Sequence, residues 1–185
     1  ESTALTLGGV AVDPPPSIFL QAVPQAESLL IDLVVSALPP KAKRVADLFC
    51  GIGTFALPLA RKVQVFAADS DKRALAALET AARHASGLKP VEVRIRDLFR
   101  EPLSPKELEG FDAVVFDPPR AGAAEQVERI ARSKVRHVIA VSCAPTTLAR
   151  DAKSLIDAGF KMGPVTPIDQ FLFSPHTEAV AVFRR

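Results

Sequence analysis

A regular alternation of strand-like and helix-like segments between residues 44 and 159 most constrains how this chain can fold. Short apolar stretches such as RVADLF and VQVFAAD alternate with segments of helical period such as KRALAALETAARHA. This pattern is typical of a mostly parallel sheet with helices on both faces, so we expect an α/β fold. We count seven strand-like segments. The last two, FKMGPVTPID and EAVAVFRR, have no helix between them and are expected to pair antiparallel at one edge.

The chain is expected to form one domain. Its 185 residues are enough for a sizeable core, and no linker or low-complexity stretch divides them. Residues 1–23 are predicted to be an extended segment that leads into a domain over residues 24–185, which opens with the helical pattern AESLLIDLVVSAL. The first residue is not Met, which favours a processed chain or a piece of a longer protein.

Composition excludes several classes of protein. With 48% hydrophobic and 24% charged residues, the chain is neither disordered nor fibrous, and no apolar run is long enough to span a membrane. We find no signal peptide and only two cysteines, which favours the cytoplasm. Cys50 and Cys143 form no cluster with the three histidines, so no metal site is expected. The net charge of +2 is too small to indicate a nucleic-acid partner by itself.

A glycine-containing loop, in DLFCGIGTFALPLA, follows the first strand of the alternating region. Gly51 and Gly53 allow the backbone to turn tightly and to approach a ligand. Asp69 ends the second strand, where a carboxylate can bind both ribose hydroxyls, and Asp97 ends the third strand, within reach of an adenine amine. The loop alone is compatible with a dinucleotide, since Ala56 at the third glycine position is tolerated there. With the two acids included, S-adenosylmethionine is the better fit.

A rigid polar loop, FDPPRAGA, follows the fourth strand. Asp117 precedes two prolines that stiffen the backbone, as expected for a wall that faces a substrate, although a plain proline turn is the alternative. Methyltransferases that act on exocyclic amines resemble this loop but carry an aromatic residue after the two prolines, where this chain has Arg120. That difference argues against an amine as the methyl acceptor.

A cysteine follows the apolar strand VRHVIAVS. Pro145 suits the first position of a helix, which places Cys143 beside a helix N-terminus, whose positive end favours a thiolate. A thiolate can add to C6 of a uracil or cytosine ring, and C5 then becomes nucleophilic toward a methyl sulfonium. A base must afterwards remove the C5 proton, and Glu178, with His176 nearby, is the candidate. We interpret Cys50 as a packing residue because it lies inside the glycine loop.

Four motifs in this order, DLFCGIGTFALPLA, FDPPRAG, VSCAPTTLARD and SPHTEAVAVF, resemble the catalytic domain of the RNA uracil-5-methyltransferases. The resemblance runs from GGVAVDPPPSIFLQAVPQAE to residue 185, and the cysteine and DPPR motifs together are highly specific. It implies a class I, Rossmann-like methyltransferase fold that uses S-adenosylmethionine to methylate C5 of a uridine in structured ribosomal or transfer RNA. The target base would leave its stack to be reached. We expect a monomer with no membrane partner.

The resemblance also assigns roles by position. It makes Cys143 the nucleophile, Glu178 the proton-abstracting base, and Asp117 similar to the family's acid beside the cofactor and the target base. The cofactor positions are Gln21, Phe49, Gly51 and Asp69, to which the loop and strand-end arguments add Gly53 and Asp97.

The sequence departs from the family pattern at two polar positions. Val23 stands where the family usually has an asparagine, two positions after the glutamine, and Ala144 stands where an asparagine usually follows the cysteine. We expect these differences to affect target identity and rate more than reaction class. The RNA-binding barrel usual in the family, and the four-cysteine iron–sulfur cluster of some members, are not in this sequence, as expected for a catalytic domain alone.

Three alternatives stay open. A cytosine-5 methyltransferase would use similar chemistry, although such enzymes often carry the nucleophile in a Pro-Cys motif, whereas Cys143 follows Ser142. A non-catalytic RNA-binding module that kept the fold is suggested by Val23 and Ala144, but the presence of Cys143 and Glu178 argues against it. An NAD-dependent oxidoreductase is compatible with the glycine loop but not with the other motifs.

Overall fold

The structure, a computed structural model, describes residues 5–16, 24–169 and 177–185. Strands and helices alternate through most of this part of the chain, as the sequence pattern predicts. The strands are β1 (Leu5–Leu7), β2 (Val10–Val12), β3 (Arg44–Leu48), β4 (Gln64–Asp69), β5 (Val91–Ile95), β6 (Ala113–Phe116), β7 (His137–Ser142), β8 (Lys161–Met162), β9 (Thr166–Asp169) and β10 (Thr177–Arg184). The helices are α1 (Pro24–Ser36), α2 (Ala56–Ala60), α3 (Lys72–His84), α4 (Pro105–Leu108), α5 (Ala124–Ala131) and α6 (Pro145–Asp157).

The main sheet is mostly parallel with an antiparallel edge, which confirms the expected fold class. Its strand order is β5-β4-β3-β6-β7-β10-β8, and β9 also pairs with β10. The five strands β5, β4, β3, β6 and β7 are mutually parallel, whereas β10 is antiparallel to β7, β8 and β9. The chain leaves β3 toward β5 and then returns to the other side of β3 with β6. Ligands bind at such a reversal of strand order, at the carboxyl ends of the strands.

The edge beside β10 differs from the expectation of one continuous strand over FKMGPVTPID. β8 and β9 are separate short strands that pair with different parts of β10, so eight strands fill seven positions of the sheet. Pro164 lies in the gap between them and has no backbone N–H to donate to the ladder. The interruption therefore follows from one residue inside an otherwise strand-like run.

Two apolar layers cover the two faces of the sheet. Along β6, Ala113 and Val115 belong to the layer under α1, α2 and α3, and Val114 and Phe116 belong to the layer under α5 and α6. Central strands with both faces buried read as continuous apolar runs, which explains the sequence pattern. The β1–β2 hairpin, within the predicted extended segment 1–23, packs into the first of these layers.

Two short helices depart from the sequence pattern. α2 is shorter than the predicted segment TFALPLARK. Its interior Pro58 lies in the first turn, where backbone N–H groups have no partner within the helix, so the lack of an N–H on proline costs no helical hydrogen bond. α4 was not expected, although Ser104 and Glu107 cap it reciprocally, a signal that is visible in the sequence as SPKE. Within the described ranges, no helix is long and apolar enough to cross a membrane.

Candidate active site

The residues that the sequence places at strand ends meet at one end of the sheet. The carboxyl ends of the parallel strands lie there, and β10 begins there because it is antiparallel to β7. Ala179 of β10 lies opposite Ser142 of β7, which puts Glu178 beside Cys143. The residues brought together are Phe49, Asp69, Asp97, Asp117, Cys143 and Glu178.

Cys143 lies in the short loop that connects β7 to α6. The Ala144 N–H donates to the Ser142 hydroxyl at 3.1 Å, and the Leu148 N–H donates to the Ala144 carbonyl at 3.0 Å. Pro145 is the first residue of α6, as predicted, and Ala144 ahead of it is extended. These contacts hold the thiol, which is partly exposed, beside the start of a 13-residue helix.

The electrostatic surroundings of Cys143 differ from the expectation. Burial raises the pKa of the thiol, and the carboxyls of Glu178 and Asp117 raise it further. A backbone hydrogen bond and the Arg120 guanidinium act in the opposite direction but do not outweigh them. The positive end of α6 beside the sulfur is therefore opposed, first by burial of the thiol and then by the carboxyls of Glu178 and Asp117.

Glu178 is a buried carboxyl at the start of β10. Only 8% of it is exposed, and its Oε2 has no hydrogen-bond partner among the described residues. Burial raises the pKa of this carboxyl, as predicted for a base in an apolar setting. A carboxylate that is neither solvated nor fully paired is suited to accept a proton.

Asp117 follows β6 and opens the DPPR loop, which comprises residues 117–123. Burial, together with the nearby Glu178 carboxyl, raises the pKa of Asp117 to about 7. Its backbone N–H donates to the Leu48 carbonyl at 3.3 Å, which ties the start of the loop to β3. Near neutral pH this carboxyl therefore exchanges its proton readily.

Asp47, on the central strand β3, is a site residue that sequence reasoning missed. It is fully buried, and neither of its carboxyl oxygens makes a hydrogen bond of good geometry within the described part of the chain, although the Ala56 backbone N–H is close enough to lower its pKa in part. Burial raises its pKa well above the ordinary value, and Asp117 and Asp69 raise it further. The signal was an acid inside the apolar run RVADLF. Burial and the two acidic neighbours therefore disfavour the charged form of this carboxyl.

The glycine loop is tied to the end of β4. The Gly51 N–H donates to Asp69 Oδ2 at 3.0 Å, and the Asp71 N–H donates to Asp69 Oδ1 at 2.9 Å. Phe49 has a φ of 61°, which makes it the one non-glycine residue in the left-handed region within the described ranges. Such backbone strain persists only where the surroundings enforce it, and it is found preferentially at functional sites.

The two glycines of the loop have different roles. A Cβ on Gly53 would overlap Leu78 Cδ1 and would lie 3.2 Å from Leu57 Cγ, so this glycine allows α2 and α3 to pack closely. A Cβ on Gly51 would meet nothing within 4 Å. Only Gly51 thus faces open space into which a ligand could fit, and Gly53 contributes through packing.

The acid at the end of β5 organises an aromatic pair. Asp97 Oδ1 accepts the N–H groups of Phe99 and Arg100, at 3.0 and 3.3 Å. The Phe99 ring lies 5.3 Å from the Phe49 ring, with planes tilted by 54°, and Phe99 is 43% exposed. Phe99 was not singled out from the sequence, where it stands two residues after a strand-end acid.

The amino-acid sequence also matches a known protein family. Residues 15–185 match the sequence family described as tRNA (Uracil-5-)-methyltransferase. The chain belongs to this family. The resemblance inferred from the four motifs is therefore confirmed.

Relatives of this chain are described as RNA methyltransferases. An uncharacterized RNA methyltransferase of Brucella suis biovar 1 is 57% identical over 178 residues, which is 96% of this chain and 43% of the relative. The 23S rRNA (uracil(1939)-C(5))-methyltransferase of Pseudomonas entomophila is 39% identical over 171 residues, which is 91% of this chain and 38% of the relative. The chain thus spans less than half the length of these curated relatives.

Solved structures agree with the family and the fold. The Pyrococcus abyssi tRNA (uracil-54, C5)-methyltransferase, in complex with S-adenosyl-L-homocysteine, matches with a TM-score of 0.85 at 30% identity, over 99% of this chain and 44% of that one. Magnesium protoporphyrin IX methyltransferase from Synechocystis PCC 6803, with bound SAM, matches with a TM-score of 0.65 at 19% identity, over 87% of this chain and 81% of that one. The second likeness concerns the fold alone.

The remaining sequence expectations fall partly outside the described residues. Gln21, Val23 and His176 lie in ranges that the structure does not describe. Cys50 is 5% exposed and its thiol pKa is raised well above the ordinary value by burial, in agreement with its interpretation as a packing residue. Over the described ranges, no group of three or more His, Cys, Asp and Glu side chains could hold a metal ion.

Proposed function

We propose that the protein containing this chain transfers a methyl group from S-adenosylmethionine to C5 of a uridine in structured RNA. The transfer proceeds through a covalent bond between Cys143 Sγ and C6 of the base. The observation that carries the proposal is the placement of Cys143, Asp117 and Glu178 on neighbouring strand ends, next to the glycine loop after β3. This placement supplies a nucleophile and two proton-exchanging carboxyls in one crevice.

The crevice between the glycine loop and the DPPR loop fits the proposed cofactor. The carboxylate of Asp69, oriented by two backbone N–H groups, keeps lone pairs for ribose hydroxyls. When bound, S-adenosylmethionine supplies an electrophilic methyl group. Phe49 and Asp97 would complete the cofactor contacts.

The first task of the protein residues is to make the thiol of Cys143 nucleophilic. Its proton must leave, and an ionised Asp117, with a pKa of about 7, can accept it near neutral pH. The Arg120 guanidinium favours the thiolate that remains. Addition of the thiolate to C6 breaks the C5–C6 double bond and makes C5 nucleophilic toward the methyl group.

The second task is to release the product. After methylation, C5 carries both a methyl group and its original proton. Glu178, buried and beside Cys143, takes this proton, the C5–C6 double bond forms again, and the Cys143 sulfur leaves C6 with the bonding electrons. The thiolate is then free for another cycle, and the only net change in the RNA is a methyl group in place of hydrogen.

The proposed substrate is an RNA whose target base can leave its stack. A base inside a helix could not reach Cys143, so a loop or a flipped nucleotide is required. Family relatives act on a transfer RNA in Pyrococcus abyssi and on 23S ribosomal RNA in Pseudomonas entomophila, by their descriptions. Structured RNA is the class that both share.

The experiment that tests the proposal uses the full-length protein with S-adenosylmethionine and total RNA containing 5-fluorouridine. Fluorine at C5 cannot leave as a proton, so the covalent intermediate is expected to accumulate and to survive a denaturing gel. Cys143→Ala should abolish the adduct, whereas Cys50→Ala, which removes the other thiol of this chain, should retain it.

Two results would contradict the proposal. One is an adduct that persists in Cys143→Ala, and the other is the absence of an adduct in a wild-type protein that binds the cofactor. Digestion of unmodified methylated RNA to nucleosides gives the base identity. We expect 5-methyluridine, and 5-methylcytidine would instead support the cytosine-5 alternative.

A further inference from the structure

Asp151, on α6, is a buried carboxylate that the proposed reaction does not use. It is 2% exposed. Its Oδ2 accepts the Ala123 N–H at 2.8 Å, and its Oδ1 accepts Nε and Nη2 of Arg150 at 3.0 and 2.8 Å. A buried charge must be compensated by hydrogen bonds and by an opposite charge. Here the compensation joins α6, which follows the nucleophile loop, to the end of the DPPR loop.

Two further side chains of α6 contact the same loop. Arg150 Nη2 also donates to the Ala121 carbonyl at 3.1 Å. The Thr147 hydroxyl lies 3.1 Å from the Arg120 carbonyl and 3.1 Å from the Ala144 carbonyl, so its one proton can be given to either. The first two turns of α6 therefore contact three residues of the DPPR loop.

Gly122 gives an independent indication that this contact is close. Its φ is 77°, and a Cβ there would lie 2.9 Å from Asp151 Oδ2 and 2.9 Å from Thr147 Cβ. The same Cβ would overlap Nη2 of Arg150. The loop can approach α6 this closely only because residue 122 has no side chain.

We propose that Thr147, Arg150 and Asp151 form a loop clamp that positions the DPPR loop relative to the Cys143 nucleophile. The three are positioning residues, because they act through Arg120 and the backbone of the DPPR loop. The proposal rests on the function proposed above and adds the element that fixes two strand-end loops against each other.

The clamp acts mainly on the Arg120 end of the loop. Asp117, at the other end, is tied separately to β3 through its N–H and the Leu48 carbonyl. The groups that face the Cys143 thiol are Glu178 from β10 and Asp117 and Arg120 from the DPPR loop. Of these, Arg120 alone favours the thiolate, so a shift of its end of the loop moves the one opposing cation relative to the thiol while the two carboxyls stay in place.

The test measures single-turnover adduct formation in the full-length protein, with saturating cofactor and 5-fluorouridine RNA. Thr147→Val keeps the shape of the side chain and removes only the hydroxyl. We expect a rate about tenfold to a hundredfold lower, since small displacements of a catalytic group have effects of this size. We also expect the pH profile to shift upward, because the thiol pKa rises when Arg120 is displaced. Thr147→Ser, which restores the hydroxyl, should recover most of the rate.

Matched controls separate positioning from general stability. Thr146→Val changes the exposed neighbour and should leave the rate, the pH profile and the melting temperature unchanged. In an Arg120→Ala background, Thr147→Val should have little further effect, because the clamp acts through Arg120.

Each outcome bears on one proposal or on both. A wild-type adduct with an unchanged rate and pH profile in Thr147→Val would overturn the clamp and leave the proposed function intact. Fully additive effects of Thr147→Val and Arg120→Ala would also overturn it. If the wild-type protein forms no adduct although it binds the cofactor, the proposed function fails, and the role of the clamp in that reaction fails with it.

Discussion

The carboxyl groups on the two sides of the crevice have contrasting surroundings. On the side of β4 and β5, Asp69 and Asp97 each accept two backbone N–H groups. On the side of β6 and β10, Asp117 and Glu178 have raised pKa values, and Glu178 Oε2 has no partner among the described residues. Carboxylates that accept two backbone N–H groups are held in a fixed orientation, which suits a bound ligand. Carboxyls without such donors can gain and lose protons, which suits chemistry.

Among the variants that test this contrast, Glu178→Gln has the largest expected effect. An amide of the same shape cannot take the C5 proton, so we expect turnover to fall by about two to four orders of magnitude. Covalent protein–RNA adduct should then accumulate even on unmodified uridine, because the step that releases Cys143 is blocked. Denaturing gels of the full-length protein would show this species. Glu125→Gln, at an exposed position on α5, should turn over normally.

Asp117→Asn tests the proton-exchanging side through stability. The folded pKa of about 7 lies above the ordinary value of 3.8, so folding favours the protonated form, and the ionised form weakens the fold as pH rises through 7. The neutral amide removes this effect. At pH 8 we expect the variant to unfold at a higher temperature than wild type, with a free energy of unfolding that is larger by at most about 4 kcal/mol. Below pH 4 we expect this gain in stability to vanish. Thermal unfolding across this pH range provides the measurement.

Asp69→Asn should lower the stability of the fold, whereas Asp117→Asn should raise it. The amide nitrogen would face a backbone N–H from Gly51 or Asp71, so one of two hydrogen bonds is lost and a donor is left opposite a donor. We expect a loss of about 1–3 kcal/mol in the free energy of unfolding, together with weaker cofactor binding. If the same Asp-to-Asn change stabilised both sites at pH 8, the contrast between the two sides would be wrong.

The smallest expected effect separates the two glycines of the cofactor side. Gly51→Ala adds a methyl group in open space at a φ of 52°, which we expect to lower stability by about 1 kcal/mol. Because the methyl group faces the space proposed for the ligand, calorimetry should also show weaker cofactor binding. Gly53→Ala must displace Leu78, so it should lower stability more than Gly51→Ala does. Equal stability losses would mean that Leu78 moves aside freely.

The fold could be predicted well because the spacing of apolar residues along the sequence reflects which side chains are buried. Strands covered on both faces are continuously apolar, and this made the parallel sheet and the antiparallel β10 predictable from RVADLF through EAVAVFRR. The prediction failed where one or two residues determine the local secondary structure. Pro164 divides β8 from β9, and the SPKE cap creates α4 inside a stretch that the alternating pattern treats as a connection.

The site could be predicted where position along a strand determines function. The carboxyl ends of parallel strands lie at one edge of the sheet, so the sequence predicts the placement of Asp69, Asp117 and Cys143 at that edge, where the structure has them. The pKa of Cys143 was not predictable in the same way, since it depends on carboxyls that only the folded sheet brings to the sulfur. Asp47 was missed because a buried acid inside an apolar strand looks like an exception to the pattern and carries no spacing signal.

The position of Glu178 on β10 has a consequence for hydrogen exchange. The next residues, Ala179 and Val180, pair with β7 on one side and with β9 on the other. Backbone amides between two neighbouring strands open with the most stable cooperative unit of a domain, whereas loop amides open locally at a much lower free energy. The proposed proton acceptor is thus anchored next to amides that we expect to exchange slowly, and the loops around it can open and close without displacing it.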